Sequence, residues 1–141
     1  MPSTHQSIVV NAPIEAVWEK LNNFHDAPWA SAILTSIEKV GHKNGQEIGA
    51  KRILNSVFHE TLTLLDTNAY RMEYSIDDGP SPVSSEEVSN YVGVIQLGPA
   101  PDGVATQVVW TSSWTSNTED AVEFCHGIYV ALLDALANSF K

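Results

Sequence analysis

A chain of 141 residues suffices for one domain with a substantial core, and 43% hydrophobic against 17% charged residues places it among folded globular chains. Seven basic residues against seventeen acidic ones give a formal charge of −10 with no local Lys/Arg cluster, a field that repels nucleic acid and anionic membrane surfaces. A lone cysteine excludes an internal disulfide, no run has the length of a membrane span, and no basic-then-apolar leader opens the chain, so a soluble cytoplasmic protein without membrane insertion is expected.

Ser7 to Val10 is a short β-rich run ending at Asn11-Ala12-Pro13, where proline at a first helical position and Glu15 just inside favour a helix. Ile14, Val17, Trp18 and Leu21 recur at helical spacing, Asn22 to Pro28 breaks the pattern, and Pro28 to Ile33 forms a second short helix carrying Trp29. Strands are expected at Leu34 to Val40, Ile48 to Leu54, Val57 to Asp66 and Arg71 to Asp77, with glycines from Gly41 to Gly49 and a turn at Asp66-Thr67-Asn68 as punctuation. Met72, Tyr74 and Ile76 alternate with Arg71, Glu73 and Ser75, the pattern of a sheet covered on one face. Asp77 to Ser85 is a Pro/Gly loop that cannot pair regularly. Strands at Val88 to Leu97 and Thr106 to Thr115 follow, with Gly98 to Gly103 turning between them.

Glu119 to Lys141 reads as one long amphipathic helix. Ala121, Phe124, Cys125, Ile128, Tyr129, Leu132, Leu136 and Phe140 form its apolar arc, and Ser116 with Glu119 has the spacing of a capping box. The order is strand, two short helices, about six strands, long helix. Consecutive strands joined by short turns make an antiparallel sheet, and a segregated helix makes the class α+β, with a strongly curved sheet wrapped around the final helix.

Glu60 shares parity with Phe58, Leu62 and Leu64, so a carboxylate faces the core beside leucines and requires a partner. Arg52 in the adjacent strand is the candidate. Such a pair serves as an anchor for a ligand's hydroxyl or carbonyl, as a general acid/base, or as a structural ion pair. Tyr74, Tyr91, Trp110, Trp114 and Tyr129 fall on the inferred inner faces, suiting a pocket for a ring-containing or acyl ligand, or equally a filled core. Cys125, mid-arc, reads as an inert small hydrophobe on that wall. Gly93, opposite the helix, widens a cavity or permits close packing, and Gly127 marks a bend or a close approach. The five histidines are scattered without metal spacing, and no phosphate loop occurs, so no metal and no cofactor are expected.

This order, with NAPIEAVW after the first strand, GAKRIL in the third, HETLTLLD in the fourth, YSIDDGPSPV before SNYVGVIQL and TQVVWTSSW before the last helix, resembles the START-like (SRPBCC) superfamily over nearly the whole chain. Within it the chain is most similar to the bacterial polyketide cyclase/dehydrase and lipid-transport group, related to the plant abscisic acid receptors and the birch-pollen allergen fold. The resemblance implies a single START-like ligand-binding domain over residues 1–141 with a helix-grip fold, in which a curved seven-stranded antiparallel sheet wraps a long C-terminal helix around a ligand cavity. It puts Tyr74, Ile76, Tyr91, Gly93, Phe124 and Ile128 at cavity positions, matches Glu60 to a polar carboxylate of the plant receptors, and sets Arg52 near it. It also implies departures. Leu54 to Val57 is too short for the receptors' gate loop, a residue near Ser31 replaces the lysine that holds the hormone's carboxylate, and Gly79, Pro80, Ser81 and Pro82 occupy the latch position.

The expected function is binding or transport of a hydrophobic small molecule, lipid-like, aromatic or polyketide-like, by a monomer or homodimer. The alternatives are a cyclase/dehydratase-type enzyme using Glu60, Arg52 and the tyrosines as acid/base groups, and a protein-interaction module with a vestigial cavity. Asp77 to Ser85 is expected to act as a lid at the open end of the pocket.

Overall fold

In the computed structural model, which describes residues 2–141, the chain runs β1 (Ser3–Val10), α1 (Ile14–Leu21), a 3₁₀ turn (Pro28–Ala30), β2 (Ile37–Val40), β3 (Lys51–Leu54), β4 (Phe58–Asp66), β5 (Arg71–Asp78), β6 (Ser89–Pro99), β7 (Thr106–Thr115) and α2 (Asp120–Asn138). The seven strands form one antiparallel sheet in the order β1-β7-β6-β5-β4-β3-β2. Every strand from β2 to β7 lies beside its sequence neighbour, and only β1 returns from afar to flank β7. This is the helix-grip α+β arrangement.

Alternation dictates which face is covered. On β7 Thr106, Val108, Trp110, Ser112 and Trp114 are buried, and on β6 Tyr91, Gly93, Ile95 and Leu97. α2 presents Ala121, Cys125, Tyr129, Leu132, Leu133 and Leu136 to them, so Leu133 widens the arc read from the sequence. Each Å² of apolar surface that this seam removes from water stabilises the fold by roughly 25 cal/mol.

Several element limits differ from expectation, each for a local reason. β1 begins at Ser3 rather than Ser7, because its first inward residues are polar and find polar partners: Thr4 Oγ1 shares a 2.6 Å hydrogen bond with Ser112 Oγ, and Gln6 Nε2 donates to Trp110 O at 2.7 Å. β2 begins at Ile37, not Leu34, because the Leu34 amide donates to Ala30 O in a helical turn. β3 begins at Lys51, not Ile48. Gly49, at φ +93°, turns the chain just before it. In β4 the register shifts between Leu62 and Leu64, leaving Thr63 as an extra residue. Leu65 therefore opposes Met72 and packs on the core, while Leu64 opposes Glu73, which corrects the inward placement of Leu64.

The capping box does not form. Glu119 is itself the N-cap and makes no side-chain cap bond, so Ser116 lies a turn too early and its Oγ accepts from Thr118 N instead. Gly127 does not mark a close approach, since it is exposed and nothing lies within 4 Å of where a Cβ would stand. Gly127→Ala is accordingly expected to stabilise the fold by about 0.5–1 kcal/mol, read as a higher urea midpoint at unchanged slope.

Candidate ligand cavity

The concave face and α2 do not fill the space between them. A cavity of about 110 Å³ remains, walled by residues of β3 to β7 and α2 and bordered by residues 20–34. Most of the wall is apolar, with Leu21, Ile33, Met72, Ile95 and Leu132 among its members.

The β3–β4 register sets Arg52 directly opposite Glu60. Arg52 Nε and Nη2 donate to the same carboxylate oxygen, Glu60 Oε1, at 2.9 and 2.7 Å, while Nη1 donates to Phe24 O at 3.0 Å. The guanidinium lies 3.8 Å from the Phe24 ring centroid, a cation–π contact that fixes its plane. Glu60 is 5% exposed. Its second oxygen, Oε2, has no hydrogen-bond partner among the described residues and is not sealed off by packing, so it opens on the cavity. Burial raises the Glu60 pKa above its ordinary value, against the opposing pull of Arg52.

On the floor, three phenols meet. Tyr74 from β5 and Tyr91 from β6 both share hydrogen bonds with Tyr129 of α2, the first at 2.8 Å, and Trp110 Nε1 donates to Tyr74 Oη at 3.0 Å. Burial pushes all three phenol pKa values up, so they remain neutral groups that both donate and accept. The knot depends on Gly93. It sits opposite Tyr74 across β5 and β6, and a Cβ there would stand 2.5 Å from both Cε1 and Oη of Tyr74. The space left by the missing side chain is occupied by the tyrosine ring, so of the two expectations for Gly93 close packing holds and a widened cavity does not.

Arg52, Glu60, Tyr74, Ile76 and Tyr91 line the cavity, as do Trp110, Cys125, Ile128 and Tyr129. Gly93, Trp114, Phe124 and the segment Gly79, Pro80, Ser81 and Pro82 do not. Trp114, fully buried, stacks behind Tyr91 with centroids 5.3 Å apart, and Phe124 stacks on Phe58 at 6.4 Å. The loop carrying Gly79 to Pro82 is pinned by buried Val83 and by Asp78, whose Oδ1 accepts from the Gly79 and Ser85 amides. Lys20 in the last turn of α1, with Asn23, Asp26 and Trp29 after it, lines both the cavity and a neighbouring groove, so the two adjoin there. Sequence reading named none of these four as site residues; Trp29, an aromatic in a broken helical stretch, was the available signal. No cluster of three or more His, Cys, Asp or Glu that could hold a metal occurs among the described residues, and no helix is long and apolar enough to cross a membrane.

The family model for polyketide cyclase / dehydrase and lipid transport matches residues 1–141. A solved structure of a protein from Nitrosospira multiformis is similar at TM-score 0.96 and 44% identity, covering 99% of this chain and 97% of that one. Protein XoxI from Bacillus cereus is similar at TM-score 0.81 and 25% identity over 99% of this chain and 96% of its own. A Thermobifida fusca protein shares the fold at TM-score 0.84 and 24% identity, covering 99% of this chain and 93% of that one. No curated protein sequence matches.

Proposed function

We propose that this chain, which belongs to the polyketide cyclase / dehydrase and lipid transport family, binds or carries a hydrophobic small molecule between the sheet and α2, with the guest's polar end at Glu60. The observation that supports this reading is an apolar cavity into which one buried carboxylate oxygen projects without a partner. Such an oxygen is reached only through the cavity, and a guest that pairs with it takes the place of water there while burying its own apolar surface. Native mass spectrometry of gently purified protein is the test. A mass increment that disappears on denaturation is expected, and an unshifted mass together with no uptake of a neutral hydrophobic dye such as Nile red overturns the reading.

Turnover of a cyclase or dehydratase kind is the second reading, favoured by one observation. Glu60, its pKa raised by burial, holds a proton to higher pH than a free carboxyl and lies close enough to Tyr74 to influence its ionisation. Glu60→Gln separates the two readings. Turnover lost with affinity kept marks an acid/base role, whereas affinity falling about threefold along with any turnover marks an anchor.

A further inference from the structure

We infer, building on the cavity reading above, that the guest is a compact uncharged molecule of one or two rings whose hydroxyl pairs with Glu60 Oε2, and that carboxylate- or phosphate-headed amphiphiles are excluded. Size sets the first limit. At about 10–15 Å³ for each water-sized guest, a cavity of 110 Å³ takes on the order of ten, which fits a small ring system and not a long acyl chain.

Charge sets the second. Both cations that border the cavity are already committed: Arg52 to Glu60 Oε1 and Phe24 O, and Lys20 to Ser139, whose O and Oγ each accept from Nζ at 3.0 Å while the Phe140 ring lies 3.9 Å away. Against them stand Glu60 inside, Asp26 at the border and a chain of formal charge −10. An anionic head thus enters a desolvated space with no free counter-charge. A cationic head meets Arg52 beside the same carboxylate, so the pair offers it little net attraction.

Hydrogen-bond chemistry selects the functional group. Oε2 is an acceptor when Glu60 is ionised and a donor when it is protonated, because the two Arg52 bonds keep Oε1 free of the proton. A hydroxyl pairs with Oε2 in both states. A carbonyl only accepts and an ammonium only donates, so each pairs in one state alone.

Three probes of one shape separate these claims: naphthalene, 2-naphthol and 2-naphthoate, titrated calorimetrically at neutral pH into protein stripped of small molecules on a hydrophobic resin. The expected order is 2-naphthol about tenfold tighter than naphthalene, and 2-naphthoate at least about tenfold weaker than naphthalene. Glu60→Gln, whose amide still pairs with a hydroxyl but without the charge, is expected to cut the naphthol advantage to about threefold and leave naphthalene affinity within about twofold. Should naphthalene bind as tightly as 2-naphthol, the hydroxyl assignment is overturned while the hydrophobic cavity stands. Tightest binding by 2-naphthoate overturns the exclusion of anions. If none of the three binds, both the inference and the cavity reading fall. If Glu60→Gln does not fold, the ranking on the unaltered protein decides.

Discussion

Arg52→Met is expected to lower stability by about 3–5 kcal/mol at neutral pH, because it leaves a buried carboxylate without its counter-charge and strips Phe24 O of its donor. The loss has a definite pH dependence. Burial already holds the folded pKa of Glu60 above its ordinary value of 4.5, and removing Arg52 raises it further. Below the unfolded pKa the group is protonated in both states and the electrostatic penalty vanishes. Up to the parent's raised folded pKa both folded proteins keep the proton alike; above it the parent ionises beside Arg52 while the variant still resists, so the deficit against the parent grows until the variant's higher folded pKa is passed and then levels. Denaturant titrations from pH 4 to 8 read this directly. A deficit independent of pH would mean that Glu60 is not its source. Because the pair is desolvated on both sides, Arg52→Met combined with Glu60→Leu is expected to recover most of the loss.

Gly93→Ala is expected to cost about 2–4 kcal/mol, against the usual gain of replacing a strand glycine. The added methyl enters space held by the Tyr74 ring, and no small movement relieves it, since the ring is 1% exposed and bounded by Trp110 and Phe24. Displacing the ring also parts Tyr74 Oη from Tyr129 and Trp110. A double-mutant cycle isolates the clash. In a Tyr74→Leu background the penalty for Gly93→Ala should shrink to within about 0.5 kcal/mol of zero, and an undiminished penalty would place the strain in the backbone instead.

Strict alternation made much of the interior legible. Glu60 and Leu62 share a parity that the sheet preserves, and the inward tyrosines and Trp110 follow from the same rule in β5, β6 and β7. What stayed hidden depends on partners distant in the chain. The outward turn of Leu64 comes from one extra residue in β4, which leaves no trace in composition. Thr4 and Gln6 look like loop residues until Ser112 and Trp110 O are placed beside them. The role of Gly93 requires the β5–β6 register, because the ring that needs the space belongs to the neighbouring strand. Residues 23–36, which the sequence divides into a breaker, a short helix and the start of a strand, are held in place from elsewhere: the Phe24 amide donates to Gly45 O, and the Asn55 side chain accepts from Thr35 N and donates to Ile33 O. Local pattern carries no information about such ties.

α2 is fastened unequally along its length. Beyond its last turn Ser139 takes both bonds from Lys20, and the C-terminal half seats Leu132, Leu133 and Leu136 in the core; the N-terminal end lacks a side-chain cap, and Phe124 and Ile128 are only half-buried. Towards the N-terminal end the ties are the His126–Gln6 bond and the Tyr129 knot, both of them side-chain bonds to the sheet. Amide hydrogen exchange is therefore expected to be faster through the uncapped first turn of α2 than around Leu136.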